Sequence, residues 1–269
     1  MDGNRRSSTA SICKTEKESW ETIWKWAWFT REMWAREYWK ANREALKPMI
    51  SLLHQLNVKT ILDCSCGLGF KTIIIAKKGY EVEGSDESAV ALKCAPLLAK
   101  EQGLNIRFFR SRMRDLKKNS GRRYDCVVSD YFDELGTRRV LRESARGIYG
   151  VLNDGGKFIF ESPVPGINIE KMIEDEWKKR EKLEFQPPYE KGGTRVTKVE
   201  VAEKTPEGIL ERCFYHIEEK GSARVEIAFK MNPRIKWTLK DFIEVLVDAG
   251  FMKFKSSKKE GRILNVAIK

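Results

Sequence analysis

The chain has 269 residues, of which 41% are hydrophobic and 33% charged, with a formal net charge of +12. That length buries a full core, and the apolar fraction excludes a disordered chain. The longest apolar runs, such as residues 72–76, are too short to cross a bilayer. The N-terminus lacks the apolar core of a signal peptide, so a cytoplasmic location is expected. Six cysteines (13, 64, 66, 94, 126 and 213) show no zinc-type spacing, and the only histidines are His54 and His216. A disulfide framework and a structural zinc are both disfavoured. Lysine and arginine are spread along the whole chain, which keeps nucleic acid in view as an alternative partner without favouring it.

Residues 1–18 are polar and predict a flexible tail. Residues 19–57 predict aromatic-rich N-terminal helices, carrying Trp20, Trp24, Trp26, Trp28, Phe29, Trp34, Tyr38 and Trp39, with Pro48 opening a second helix at its first turn. Strand and helix patterns then alternate. Strands are expected over 59–64, 79–85, 106–110, 125–129 and 157–161, and helices over 70–78, 88–101 and 138–151, with Ser88 as a cap. The alternation predicts an α/β fold: a doubly wound, mostly parallel seven-stranded sheet with helices on both faces. The pattern breaks at Ser162-Pro163-Val164-Pro165-Gly166. A charged helix over 167–183 and strands over 194–201, 208–218 and 223–229 predict an antiparallel, lid-like insertion spanning 162–236. A helix over 238–249, capped by Thr238 and stopped by Gly250, and two strands complete the α/β part, which spans 58–161 and 237–269.

The segment Asp63-Cys64-Ser65-Cys66-Gly67-Leu68-Gly69-Phe70-Lys71-Thr72 leaves a strand and opens a helix. Its glycines let the backbone turn sharply and approach a ligand closely. Asp86 ends the next strand, 17 residues after Gly69. That spacing suits a carboxylate accepting hydrogen bonds from both ribose hydroxyls of an adenosine cofactor. The nicotinamide fingerprint has a third glycine where this chain has Thr72, which counts against a dinucleotide. The plain alternative is an ordinary tight turn followed by a surface aspartate.

DCSCGLGFKT, GYEVEGSDES, RMRDL, YDCVVSD and GVLNDGGKFIF follow one another in the order of the motifs of class I S-adenosylmethionine-dependent methyltransferases, and WTLKDFIEVLVDAGF resembles that family's closing helix. The resemblance covers residues 58–161 and 237–268. The tryptophan-rich N-terminal helices and the insertion make the layout most similar to the glycine and sarcosine N-methyltransferase branch, where such a lid encloses a small amine. The resemblance implies S-adenosyl-L-methionine as cofactor. It sets Asp63 and Gly67 by the methionine amine and Gly69 near the carboxylate. Asp86 would hold the ribose with Glu87 and Ser88 close by, and Arg112 and Met113 would flank the adenine. Relatives often carry an acid in place of Arg112. Asp130 and Tyr131 would stand where the methionine end meets the acceptor.

Methyl transfer from a sulfonium is an in-line displacement that needs alignment, exclusion of water and loss of one proton. The catalytic candidates are therefore Tyr131, to orient the acceptor; Glu161, to bind an amine or take its proton; and His216, as a base. Substrate-binding candidates are Arg31, Trp34 and Tyr38 on one helix face, and Arg195 and Tyr215 in the insertion, each weighed against ordinary packing or solvation. Strand alternation turns at most one of Tyr215 and His216 inward. No metal is expected, although Asp130 and Asp133 could contribute to a magnesium site. The expected function is methylation of a small molecule, most readily at nitrogen. No membrane partner is expected, and a homo-oligomer is compatible. RNA or protein methylation is the first rival; an NAD(P)-dependent oxidoreductase and a non-catalytic cofactor-binding module are the others.

Overall fold

The computed structural model describes residues 9–163, 166, 168–259 and 262–269. In chain order the elements are β1 (Thr9–Ile12), α1 (Glu16–Gln55), β2 (Thr60–Asp63), α2 (Phe70–Ala76), β3 (Glu81–Asp86), α3 (Ala89–Glu101), β4 (Phe108–Arg110), α4 (Leu116–Asn119), β5 (Tyr124–Ser129), α5 (Arg138–Val151), β6 (Leu152–Pro163), α6 (Ile169–Lys179), β7 (Leu183–Lys191), β8 (Thr194–Thr205), β9 (Gly208–Glu219), β10 (Ser222–Arg234), α7 (Leu239–Ala249), β11 (Lys253–Lys259) and β12 (Arg262–Ile268). They divide into two compact units, Met1–Ala35 with Ile169–Arg234, and Arg36–Asn168 with Ile235–Lys269.

The second unit is α/β. Its seven-stranded sheet has the order β11-β12-β6-β5-β2-β3-β4. The pairs from β6 to β4 are parallel, and β12 runs antiparallel to β6 and to β11. Alternate residues of the central strands enter two apolar layers. Leu62, Val127, Phe158 and Phe160 join Phe132, Leu141, Ile148, Phe242 and Leu246 on one face. Ile61, Val128 and Ile159 join Leu46, Met49 and Leu53 of α1 and Ile74 and Ile75 of α2 on the other. The sheet reverses its strand order between β2 and β5, and such a switch opens a crevice at the carboxyl ends of those strands.

The first unit is an antiparallel sheet with the order β1-β10-β9-β8-β7. Val196, Cys213, Tyr215, Ile217 and Ala228 pack on Ile23 and Trp26 of α1. Trp26 also donates to Glu226 Oε2 at 2.8 Å.

Three expectations are corrected. Thr9–Ile12, within the expected tail, pairs in parallel with the edge of β10 through backbone groups that no side-chain pattern announces; residues 1–8 of that tail lie outside the described residues. Pro48 does not open a second helix: α1 runs through it for 40 residues. Leu46, Met49 and Leu53 keep one buried stripe across the proline, which offsets the lost backbone bond. Finally, β7 was not expected, because Pro187 and Pro188 argue against a strand. It forms at the sheet edge, with a register shift between Gln186 and Tyr189 that absorbs both prolines. Val164 and Pro165, in the expected break, lie outside the described residues. Among the described residues no helix is long and apolar enough to cross a membrane.

Candidate active site

The site grows from the end of β2. Asp63 is fully buried there, and the chain then turns through Gly67 and Gly69, whose φ values are 50° and 88°. Glycine adopts that left-handed backbone most readily, having no Cβ. A Cβ at Gly69 would also stand 3.2 Å from Ala95 and Phe108. The turn delivers the Gly67 amide to Asp86 at the end of β3, where it donates to Oδ2 at 2.8 Å. The Ser88 amide donates to Asp86 Oδ1 at 2.9 Å, while the Ser88 hydroxyl caps α3 by accepting from Ala91 N. Each Asp86 oxygen thus accepts one backbone bond and keeps capacity for a second, which fits a ligand that offers two hydroxyls. Burial pushes the Asp86 carboxyl up to about 6 despite both amides.

A second cluster joins β2, α2 and β5. Lys71, on the first turn of α2 and 5% exposed, places Nζ 3.0 Å from Asp63 Oδ1 and 2.7 Å from Asp130 Oδ1. Thr72 donates its hydroxyl to Asp63 Oδ2 at 2.7 Å. Ser65 donates to Asp130 Oδ1 at 2.9 Å, and its hydroxyl lies 3.0 Å from that of Ser129. Burial lowers the affinity of Lys71 for its proton, but the two carboxylates outweigh it and hold the lysine above its usual range. Desolvation raises Asp130, yet Lys71 and Ser65 hold it below the usual carboxylate range. For Asp63 burial wins over Lys71, and its acid is raised.

The remaining residues expected at the cofactor stand beside this turn. Glu87 receives Nε of Arg112 at 3.2 Å, both side chains being about half exposed, and its carbonyl accepts from Arg110. Met113 is buried. Tyr131 is part-buried against the Phe132 layer, and its amide donates to the Ser129 hydroxyl. Glu161 lies near the end of β6, opposite Leu264. Asp133 is buried, and among the described residues no group of three or more acids, histidines or cysteines could hold a metal ion. Tyr38 meets Phe70 edge-on at 4.6 Å.

The other substrate candidates belong to the antiparallel unit. Arg31 lies over the Trp28 ring at 4.0 Å, and Trp34 donates to Thr30. Tyr215 is buried against Trp26, and its neighbour His216 is exposed, 3.9 Å from Glu218. Arg195 is exposed and faces Glu218 at 3.6 Å. The structure brings Asp63, Gly67, Asp86, Ser88 and Asp130 to one turn, and it adds Lys71, Ser65 and Ser129, which the sequence did not single out. The signal for Lys71 was present: it is a lone cation in the run Phe70–Ile75, all of which is buried.

Residues 61–156 match a family described as a methyltransferase domain. The glycine/sarcosine N-methyltransferase of Parasynechococcus marenigrum (strain WH8102) is 27% identical over 126 residues, 46% of this chain and 45% of that protein. The chain spans less than half the length of the curated relatives it matches. Among solved structures, the sugar N-methyltransferase KedS8 of Streptoalloteichus sp. superposes with a TM-score of 0.60 at 15% identity, covering 82% of this chain and 84% of that one. An S-adenosylmethionine-dependent methyltransferase of Clostridium acetobutylicum gives a TM-score of 0.60 at 15% identity, covering 92% and 98%. At that identity the two structures speak to fold alone.

Proposed function

We propose that the α/β unit of this chain, whose residues 61–156 match a methyltransferase domain, is a class I, Rossmann-like S-adenosylmethionine-dependent methyltransferase domain, and that the protein transfers a methyl group to a small-molecule acceptor, most readily a nitrogen, in the cytoplasm. The observation that carries the cofactor half of this reading is Asp86. It is a part-buried carboxylate, fixed by two backbone amides at the end of β3, with room on each oxygen for a further donor. S-adenosylmethionine supplies an electrophilic methyl group on a sulfonium. The chain's own residues bind and orient. Asp86 holds the ribose, Gly67 and Gly69 allow close backbone approach, and the Asp63–Asp130 cluster receives the amino-acid end. Glu87, Ser88, Arg112 and Met113 border the adenosine. Tyr131 and Glu161 are assigned to the acceptor, Tyr131 to orient it and Glu161 to bind a cationic amine or take its proton. His216, Arg31, Trp34, Tyr38, Arg195 and Tyr215 remain candidates for acceptor selection. The acceptor assignment is supported by the glycine/sarcosine and sugar N-methyltransferases among the similar proteins.

The test is calorimetric titration with S-adenosylmethionine and its demethylated product, S-adenosylhomocysteine, with NADH and NADPH as controls, followed by a methyl-transfer screen over amines. Binding of the sulfur cofactors alone supports the reading, and NAD(P)H binding would overturn it. Glu161→Gln should keep cofactor affinity and slow turnover; turnover at the unmodified rate removes Glu161 from the mechanism. RNA methylation as the outcome of the screen, with strong salt dependence, would replace the small-molecule reading.

A further inference from the structure

We propose that Lys71 is a positioning residue for the amino-acid end of the cofactor. It gathers the Asp63 and Asp130 carboxylates into one seat with a surplus negative charge, fitted to a primary ammonium. The inference rests on the reading of the α/β unit as cofactor-binding and names a residue that the matched motifs do not single out.

A lysine with 5% of its side chain exposed is costly unless paired. Lys71 is paired twice, at 3.0 Å to Asp63 and 2.7 Å to Asp130. One base therefore stands between two acids, and with both acids ionised the cluster carries one negative charge in excess. Without the lysine, two carboxylates this close would not both stay ionised. With it, Asp130 is held ionised, and the lysine itself does not titrate in the neutral range.

The geometry also shows that the seat is held from several sides. Asp63 is fixed on its other oxygen by Thr72. Asp130 is fixed by Ser65, whose hydroxyl also lies 3.0 Å from that of Ser129 at the end of β5. More than half of the Asp130 side chain nevertheless stays exposed, at 58%. The surplus charge thus stands at the carboxyl ends of β2 and β5, beside the glycine turn. Lys71 contributes its charge from beneath and is too enclosed to be the group that meets ligand. Its role is to hold two acids in register for a second cation.

The adenosine part of the cofactor carries no ammonium, whereas its amino-acid end does. Lys71 should therefore matter for ligands with that end and not for ligands without it. The experiment is calorimetric titration of the full chain with S-adenosylhomocysteine and with methylthioadenosine, which shares the adenosine and lacks the amino-acid group. Lys71→Met should weaken S-adenosylhomocysteine by about tenfold or more, as expected for loss of one charge-assisted contact, and leave methylthioadenosine within about twofold. Ser65→Ala removes only the hydroxyl that fixes Asp130 and leaves both ion pairs of Lys71 in place. It should show the same selectivity with a smaller loss, about threefold to tenfold. An equal loss for both ligands in either variant, or unchanged S-adenosylhomocysteine binding, overturns the proposal. An unmodified protein that binds neither ligand overturns the cofactor reading on which it stands.

Discussion

The acid-rich cluster at the candidate site and the network inside the antiparallel unit arrange buried charge in opposite ways. In the α/β unit one buried base, Lys71, faces two acids, Asp63 and Asp130, at strand ends. In the antiparallel unit two enclosed acids, Glu200 and Glu211, each face two bases. Glu200 lies 2.9 Å from Lys198 and 3.5 Å from Lys230, and Glu211 lies 2.8 Å from Lys230 and 2.5 Å from Arg180. There Glu200 is drawn down to about 2: burial raises it, and Lys230 and Lys198 outweigh the burial. The first arrangement leaves an acid surplus beside a glycine turn and invites a cation. The second surrounds its acids from within the sheet and spends its charges on one another. The overall charge divides the other way, since most of the net +12 belongs to the α/β unit and the antiparallel unit is close to neutral.

The largest expected effect tests whether the antiparallel network is structural. Glu211 is 3% exposed, and Glu211→Gln leaves Arg180 and Lys230 around a neutral amide. Breaking such a buried pair costs about 3–5 kcal/mol, which denaturant unfolding would register. S-adenosylhomocysteine affinity, measured where the variant is folded, should stay within about twofold, because this buried network makes no ligand contact in the proposed division of labour. An affinity that falls with the stability would break the comparison between the units.

Asp86 is the next test, and it separates binding from folding by sign. Asp86→Ala removes two ribose contacts and should cost about 1.5–3 kcal/mol of cofactor affinity. In the unliganded protein burial pushes the Asp86 acid from 3.8 up to about 6, so the folded state holds this proton more tightly than the unfolded chain does. Its contribution to stability is therefore full below the unfolded value and is lost as pH rises through about 6. Cofactor binding runs the other way, because only the ionised carboxylate accepts from both hydroxyls. Affinity should be flat above about 6 and fall by about tenfold per pH unit below it. Titrations across that range should show the slope in the unmodified protein and not in Asp86→Ala. A slope that survives the substitution assigns the titration to another group.

The same contrast explains what was legible in the sequence. Strands β2, β5 and β6 announce themselves as short apolar runs between turns, because both faces of a parallel sheet are covered. Gly67, Gly69 and Asp86 are legible because backbone conformation and spacing fix their residue types. Lys71 is marked in the sequence only as a lone cation in an apolar run, and its role is not, since only the fold brings Asp63 and Asp130 to it. Thr72 was seen as a missing glycine, whereas its hydroxyl is what holds Asp63. In the antiparallel unit the alternation of Tyr215 and His216 correctly limited them to opposite faces. The pairing of β1 and the edge strand β7 depend on backbone partners far away in sequence, and local pattern does not carry that information.

The smallest expected effect sharpens the comparison by placing a charge that belongs to neither pattern. Thr238 and Asp241 form a reciprocal cap on α7. The Asp241 amide donates to the Thr238 hydroxyl at 3.3 Å, and the Thr238 amide donates to Asp241 Oδ2 at 2.9 Å. Asp241 Oδ1 also accepts from Arg138 of α5 at 2.9 Å, so the cap ties two helices of the α/β unit together at its surface. Burial raises the Asp241 acid, but the bonds from Thr238 and Arg138 outweigh it and hold the acid below its usual range, ionised at neutral pH. Thr238→Ala removes one acceptor for the helix end and should cost about 1 kcal/mol of stability. The Arg138 bond survives, so the loss should not approach that of Glu211→Gln. Because the cap is remote from the ends of β2, β3 and β5 in sequence and shares no partner with Asp63, Asp86 or Asp130, cofactor affinity should not change. Calorimetry on this variant therefore asks whether charge in the α/β unit is divided between a ligand seat and its scaffold; a drop in affinity with this lesion would show that α7 helps to shape the seat.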